Sequence, residues 1–163
     1  MSLTSPHKIF SLAGPNPYEV AKAKVQLLLL SSQYRCAQTM RHWTPSNSTG
    51  LCTHPPCYGI DLVESPAHIL LHCPAYKLAR QSVLSMCLKL PRLPSFTLFR
   101  ECLSLTPDRL LQLLLDCSTI PEVIASAQYH GEDVYKNLCY IGRTWCFVMH
   151  RERLKRLGLW NFQ

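Results

Sequence analysis

The segment CTHPPCYGIDLVESPAHILLHC, residues 52–73, offers Cys52, Cys57, His68 and Cys73 as a four-ligand set spaced C-x4-C-x10-H-x4-C. Structural zinc sites use four tetrahedral thiolate or imidazole ligands, usually as two close pairs separated by a loop. Drawing such a set to one cation closes the intervening chain into an irregular knuckle. Any fold for this chain must therefore leave a closed, non-repetitive loop in its middle, with regular elements to either side.

The local residues suit that demand. Gly50 and the paired Pro55-Pro56 favour a tight turn holding Cys52 and Cys57. Pro66 and Pro74 bracket a helical piece of roughly two turns, at ~100° per residue. His68 falls in its first turn and Cys73 at its end, and the two converge if the chain tightens or unwinds at Pro74. His68 and His72, four apart, share a helical face more directly. His72 is thus a competing ligand and His54 a weaker one. The plainer alternative is that Cys52, Cys57 and Cys73 are ordinary buried thiols and the histidines lie on the surface. The remaining cysteines, Cys36, Cys87, Cys102, Cys117, Cys139 and Cys146, fall within Leu-rich helical patterns and read as core packing.

The rest of the chain reads as helices. With 47% hydrophobic and 17% charged residues it has the apolar content to bury a core. Twelve prolines against six glycines favour short helices punctuated by Pro over a β-sandwich. Four starts carry Pro at the first helical position, where its missing N–H costs nothing. Asn16-Pro17-Tyr18-Glu19 echoes a capping box and opens a helix expected to run to about Arg41, with Val25, Leu28, Leu29, Ser32 and Cys36 near one face. Ser65-Pro66 opens a short turn ending before Pro74. Thr106-Pro107-Asp108 opens a helix through Leu110, Leu111, Leu114 and Leu115, and Pro121-Glu122 opens another. After Gly131 a long amphipathic segment runs through Leu138, Ile141, Trp145, Val148 and Met149 to Arg156, with Gly158 as its stop. No stretch alternates apolar and polar residues, and residues 45–63 read as irregular. The fold class expected is all-α: a small irregular helical domain with a zinc-knuckle-like loop inserted after the first long helix. Residues 1–44, 45–75 and 76–163 form its helical, knuckle and helical segments within one compact domain.

Chemistry beyond the knuckle is sparse. There is no Gly-rich phosphate loop, no Ser-His-Asp signature and no paired-carboxylate motif, and the acids Asp108, Asp116, Glu122, Glu132 and Asp133 sit at expected helix ends. Four ligands would also leave zinc without an open position. These readings point away from an enzyme. The apolar run Leu27 to Leu30 is far shorter than the ~20 residues of a membrane span. MSLTSPHKIF lacks the apolar stretch of a signal peptide, so an intracellular setting, nuclear or cytoplasmic, is expected. In that setting the sequon at Asn47 has no glycosylation to direct.

The net charge of +7 is uneven, at +4 for residues 1–51, −2 for residues 52–133 and +5 for residues 134–163. Basic flanks favour phosphate backbones through counterion release. The strongest candidate surface is C-terminal, where Arg143, His150, Arg151, Arg153, Lys155 and Arg156 interleave with Trp145, Phe147 and Trp160. Phosphates attract the cations and unpaired bases stack on aromatic faces. Arg35, Arg41, His42 and Trp43 extend it ahead of the knuckle. The alternative is a solvated helix whose aromatic residues face the core.

The strings YRCAQTMRHW, GLC and ESPAHILLHCPA resemble a known family, the C-terminal region of non-LTR (LINE-type) retrotransposon polyproteins, downstream of the reverse transcriptase. The family's E-x3-H-I-L-x2-C-P phrase is matched by Glu64, His68, Ile69, Leu70, Cys73 and Pro74. Its TW…HRxR phrase is matched by Thr144, Trp145, His150, Arg151 and Arg153. The resemblance implies a zinc-binding, nucleic-acid-contacting appendage without catalysis of its own. It implies Cys52, Cys57, His68 and Cys73 as ligands, and so His68 over His72. The Cys52–Cys57 gap is wider than the two residues common in such knuckles. Polymerase and endonuclease domains are absent, so the chain looks like a truncated fragment of such a polyprotein. The partners expected are RNA or DNA and a reverse transcriptase domain, with no membrane and no small-molecule substrate. Two further readings stand beside this one: a zinc-stapled scaffold that binds protein, and a decayed fragment without a selected role.

Overall fold

Proline-led starts open α-helices at Pro17, Pro107 and Pro121, and a long helix follows Gly131, where the sequence places them. The computed structural model describes residues 8–44, 46, 48–89, 94–104 and 106–159, with backbone alone at 94, 96 and 102. Among these, the α-helices are α1 (Lys8–Ser11), α2 (Pro17–Leu30), α3 (Ala37–Trp43), α4 (Lys77–Leu88), α5 (Pro94–Cys102), α6 (Pro107–Leu115), α7 (Pro121–His130) and α8 (Asp133–Arg156). One isolated antiparallel bridge, Leu51 to Val63, lies in the segment read as irregular. The protein is all-α.

α8 is the axis of the fold, about 36 Å long at 1.5 Å per residue. Its residues Leu138, Ile141, Trp145, Cys146 and Met149 are buried, and α2, α4, α5, α6 and α7 pack around it. One apolar cluster runs from Val25 to Met149 and takes in Cys52, Cys57 and Cys73. A second, smaller cluster of Ile9, Ala13 and Ala23 docks α1 on α2. Cys36, Cys87, Cys117, Cys139 and Cys146 are buried free thiols, as core packing requires; the side chain of Cys102 lies outside the described residues.

Three helices meet at the C-terminal end of α6, where carbonyls lack intrahelical partners. Gln26 of α2, buried, donates its Nε2 hydrogens to the carbonyls of Leu114 (2.7 Å) and Leu115 (3.2 Å). Gly142 of α8 lets the two backbones close: a Cβ there would stand 2.4 Å from the Leu114 oxygen. α8 ends as the sequence predicts. Gly158, at φ 66°, donates to Lys155 and Leu159 donates to Leu154, the paired bonds of a Schellman cap.

The first long helix departs from expectation. It ends at Leu30 instead of running to Arg41, because Ser32 adopts φ 58° and Gln33 N–H bonds back to the Leu28 carbonyl at 3.0 Å. The outer bond of the terminator at Gly158 recurs here, built on a serine that pays roughly 1–2 kcal/mol for the left-handed conformation. Ser32 is exposed, and Cys36 is the residue before α3 rather than part of the α2 face. The capping box is half formed. Asn16 Oδ1 accepts from Tyr18 N–H at 2.9 Å, whereas the Glu19 carboxylate turns to Lys22 (2.7 Å) and Arg143 (3.4 Å).

Candidate metal centre

The knuckle is assembled by short-range constraints. Gly50, at φ 80°, turns the chain beside the Arg41 side chain, and a Cβ there would lie 3.0 Å from Arg41 Cδ. Across the Leu51–Val63 bridge, Cys52 N–H donates to the Leu62 carbonyl at 2.7 Å and Glu64 N–H to Gly50 at 3.0 Å. Pro55-Pro56 sets a 3₁₀ turn over Pro55–Cys57, closed by Cys57 N–H on the His54 carbonyl at 2.7 Å. Ser65 Oγ accepts from His68 N–H at 3.1 Å, capping the next turn.

That turn, His68–His72, is a single π turn closed by Cys73 N–H on the His68 carbonyl at 2.6 Å. In an α-helix residues five apart diverge by about 140°. Widening the turn to roughly 4.4 residues brings them within about 50°. The π turn thus aligns His68 with Cys73, the convergence expected at Pro74 from a tightened or unwound helix. Cys73 itself is extended (ψ 118°), as a residue before proline prefers.

Cys52, Cys57, His68 and Cys73 are all buried, and their ligand atoms lie within 4.8 Å of one another. The Sγ atoms of Cys52 and Cys73 are 3.9 Å apart, those of Cys57 and Cys73 are 3.7 Å apart, and Cys57 Sγ is 3.5 Å from His68 Nε2. A tetrahedral cation with bonds of about 2.3 Å to sulfur and 2.0 Å to nitrogen requires edges of about 3.8 and 3.5 Å. The sulfurs stand well beyond the ~2.05 Å of a disulfide. Burial pushes the Cys52 thiol up to about 12 and raises Cys73, while it depresses His68 and keeps the imidazole neutral, the form that ligates. The four side chains form a possible Cys3His metal site.

The two alternative histidines face elsewhere. His54 is buried, but its Nε2 meets the Tyr76 hydroxyl and its ring packs edge-on against Tyr76 at 5.0 Å. His72 lines a cleft with Leu71, Lys77 and Arg80, outside the four-ligand group.

Glu64 ties the knuckle to the helices. Its carboxylate accepts from Ala37 N–H at 2.7 Å, capping α3, and from Arg153 Nε at 2.7 Å and Nη2 at 3.3 Å. Arg153 also lies over the Tyr34 ring at 5.7 Å, and the Tyr34 hydroxyl meets His150 Nδ1 at 2.9 Å. Trp145 Nε1 donates to the Leu70 carbonyl at 3.2 Å. The two sequence phrases that carry the family resemblance therefore meet in space, through Glu64–Arg153 and Leu70–Trp145. Glu64 entered the sequence reading only as a letter of that phrase. Its role as a junction had one local signal, an acid directly before a Ser-Pro helix start.

The candidate nucleic-acid surface needs correction. Arg143 and Arg153 are buried, Arg143 at 3% exposure beside Glu19 and Arg153 on Glu64, so neither presents a cation to solvent. The Arg143–Glu19 pair lies within ion-pair range without an aligned hydrogen bond. Trp145 is in the core and Phe147 packs on Tyr18; Trp160 lies outside the described residues. Arg35, Arg41, Lys155 and Arg156 are exposed and Arg151 is partly so. Lys155 and Arg156 sit 3.9 and 3.5 Å from Glu152, and Trp43 is 47% exposed. Arg41 lies against Gly50, and Arg156 lies over the ring of Tyr76, so these cations border the knuckle.

Comparison with protein families, with curated proteins and with solved structures returns no match to this chain. Among the described residues no helix is long and apolar enough to cross a membrane.

Proposed function

We propose that the chain is a zinc-stapled module that contacts RNA or DNA, without catalysis of its own, related to the region after the reverse transcriptase in LINE-type polyproteins. The observation that carries the zinc assignment is the match of the 3.5, 3.7 and 3.9 Å ligand edges to tetrahedral geometry. Three thiolates and one imidazole select zinc over hard cations, and four protein ligands make the ion structural. The nucleic-acid reading rests on the exposed Arg35, Arg41, Lys155 and Arg156 with half-buried Arg151, of which Arg41 and Arg156 border the knuckle, and on Trp43 as a stacking face.

Two measurements on one sample test it. Native mass spectrometry should find one zinc per chain, removed by chelator. Gel-shift titration of the zinc-loaded chain should show affinity falling with salt, with a log–log slope no steeper than about −4.5 for duplex DNA if five cations contact phosphate. Zinc without salt-sensitive binding to either nucleic acid would refute the nucleic-acid half.

A second reading, a zinc-stapled scaffold for a protein such as a reverse transcriptase domain, is favoured by the knuckle tip. There Tyr58, Ile60 and Val63 are 78%, 60% and 46% exposed. It predicts zinc, no nucleic-acid binding, and capture of an isolated polymerase domain that is lost in Ile60→Asp.

A further inference from the structure

Beside the metal centre, α4, α6 and α8 border an open cleft of about 370 Å³, within the range of small-ligand sites. Leu84, Leu110 and Trp145 give it apolar walls. His72, Lys77 and Arg80 also line it, and no Asp or Glu does among the described residues. Lys77, Arg80 and Leu84 stand three and four residues apart on one face of α4. The cleft therefore runs about 10 Å along that helix, at 1.5 Å per residue. Its cations sit towards the α4 N-terminus and its leucine beyond them.

Arg80 supplies the second observation. Its Nη1 is buried and has no hydrogen-bond partner among the described residues. A buried guanidinium hydrogen left unpaired is costly, and the group that best satisfies it is a planar anion taken by the guanidinium fork. An apolar trough whose basic end carries Arg80 with Lys77 and His72, and no acid among its lining, fits one ligand chemistry. We propose that this cleft binds an apolar carboxylate, its acyl chain lying along Leu84, Leu110 and Trp145 and its carboxylate on Arg80. Lys77 adds charge at the rim. The cleft borders the candidate metal centre through His72 and Arg80, so the chain is titrated both zinc-loaded and chelated, and head-group selectivity is read in each state.

The test is a titration of the isotope-labelled full chain with octanoate, octanol and octylamine, followed by backbone amide shifts and the Trp145 indole signal. Octanoate is expected to bind saturably, at least tenfold more tightly than octanol, with octylamine weakest. The shifts should centre on Leu71, residues 77–84, Leu110 and Trp145. Arg80→Gln should lower octanoate affinity at least tenfold and leave octanol unchanged. The proposal is overturned if octanol equals octanoate, if Arg80→Gln binds octanoate as before, or if shifts fall elsewhere or nowhere. The comparison of the three head groups needs no variant, so it decides the matter even where Arg80→Gln fails to fold.

Discussion

The knuckle, residues 50–76, and the helices around α8 bury their side chains for different reasons. Around α8 the interior is leucine, isoleucine, methionine and tryptophan, closed by a backbone contact at Gly142. In the knuckle the interior adds three cysteines, two histidines and Glu64 to the apolar Ile69, Leu70 and Tyr76, while Ile60 and Val63 point to solvent. Burying apolar surface stabilises in any condition that supports the hydrophobic effect, at about 25 cal/mol per Å². Burying thiols, imidazoles and a carboxylate stabilises only when each has its partner. On the proposed reading the bundle rests mainly on apolar burial, and the knuckle rests in addition on a cation and on the Glu64–Arg153 pair that joins the two regions.

The largest effect expected is on that condition. Cys57→Ser should abolish stoichiometric zinc in native mass spectrometry while far-UV circular dichroism keeps most of its helical signal. The metal contribution lost is on the order of 10 kcal/mol for a structural site, spread over the knuckle. Loss of all helical signal would show that the two regions are one cooperative unit. Next is Glu64→Gln, which leaves the Arg153 guanidinium buried without its counter-charge. Breaking such a pair should cost about 3–5 kcal/mol in chemical denaturation. A smaller value would mean that Arg153 swings out to water.

Gly142→Ala probes the other side. The new methyl meets the Leu114 carbonyl, a backbone atom that cannot rotate away, so a loss of about 3 kcal/mol is expected, with zinc still bound. Titration of the metal-free bundle should give a plateau with two edges. Burial depresses His150, so the stability it lends is present above the ordinary histidine value of about 6.5 and falls as pH drops below it. Burial raises Cys87 to about 11, so its stability is present below the ordinary thiol range and is lost as pH rises towards 11. Urea midpoints of chelated protein between roughly pH 5 and 10.5 check both signs. The smallest effect is a gain. Ser32→Gly relieves the left-handed serine at the end of α2 and should stabilise by about 1 kcal/mol in thermal denaturation.

The same contrast governs how much was legible in the sequence. Helices α2, α6 and α7 announce themselves through proline starts, and α8 through its apolar spacing between Gly131 and Gly158, because local rules made them. The break after Leu30 is silent, since a serine does there what glycine usually does. The π turn is silent as well: spacing alone left His68 and His72 in competition, and the wider turn resolves it by rotating His68 towards Cys73. The misplacement of Arg143 and Arg153 on a surface has a common cause. Their partners, Glu19 and Glu64, are remote in sequence, Glu64 by 89 positions, and periodicity cannot see a buried pair formed by tertiary contact.

The central claim is that a metal ion holds the knuckle while the bundle holds itself. Amide hydrogen exchange of the zinc-loaded and chelated chain measures both at once. The account predicts that chelation strips protection from residues 50–76 and leaves residues 138–149 of α8 protected. Unchanged protection of the knuckle on chelation would contradict it.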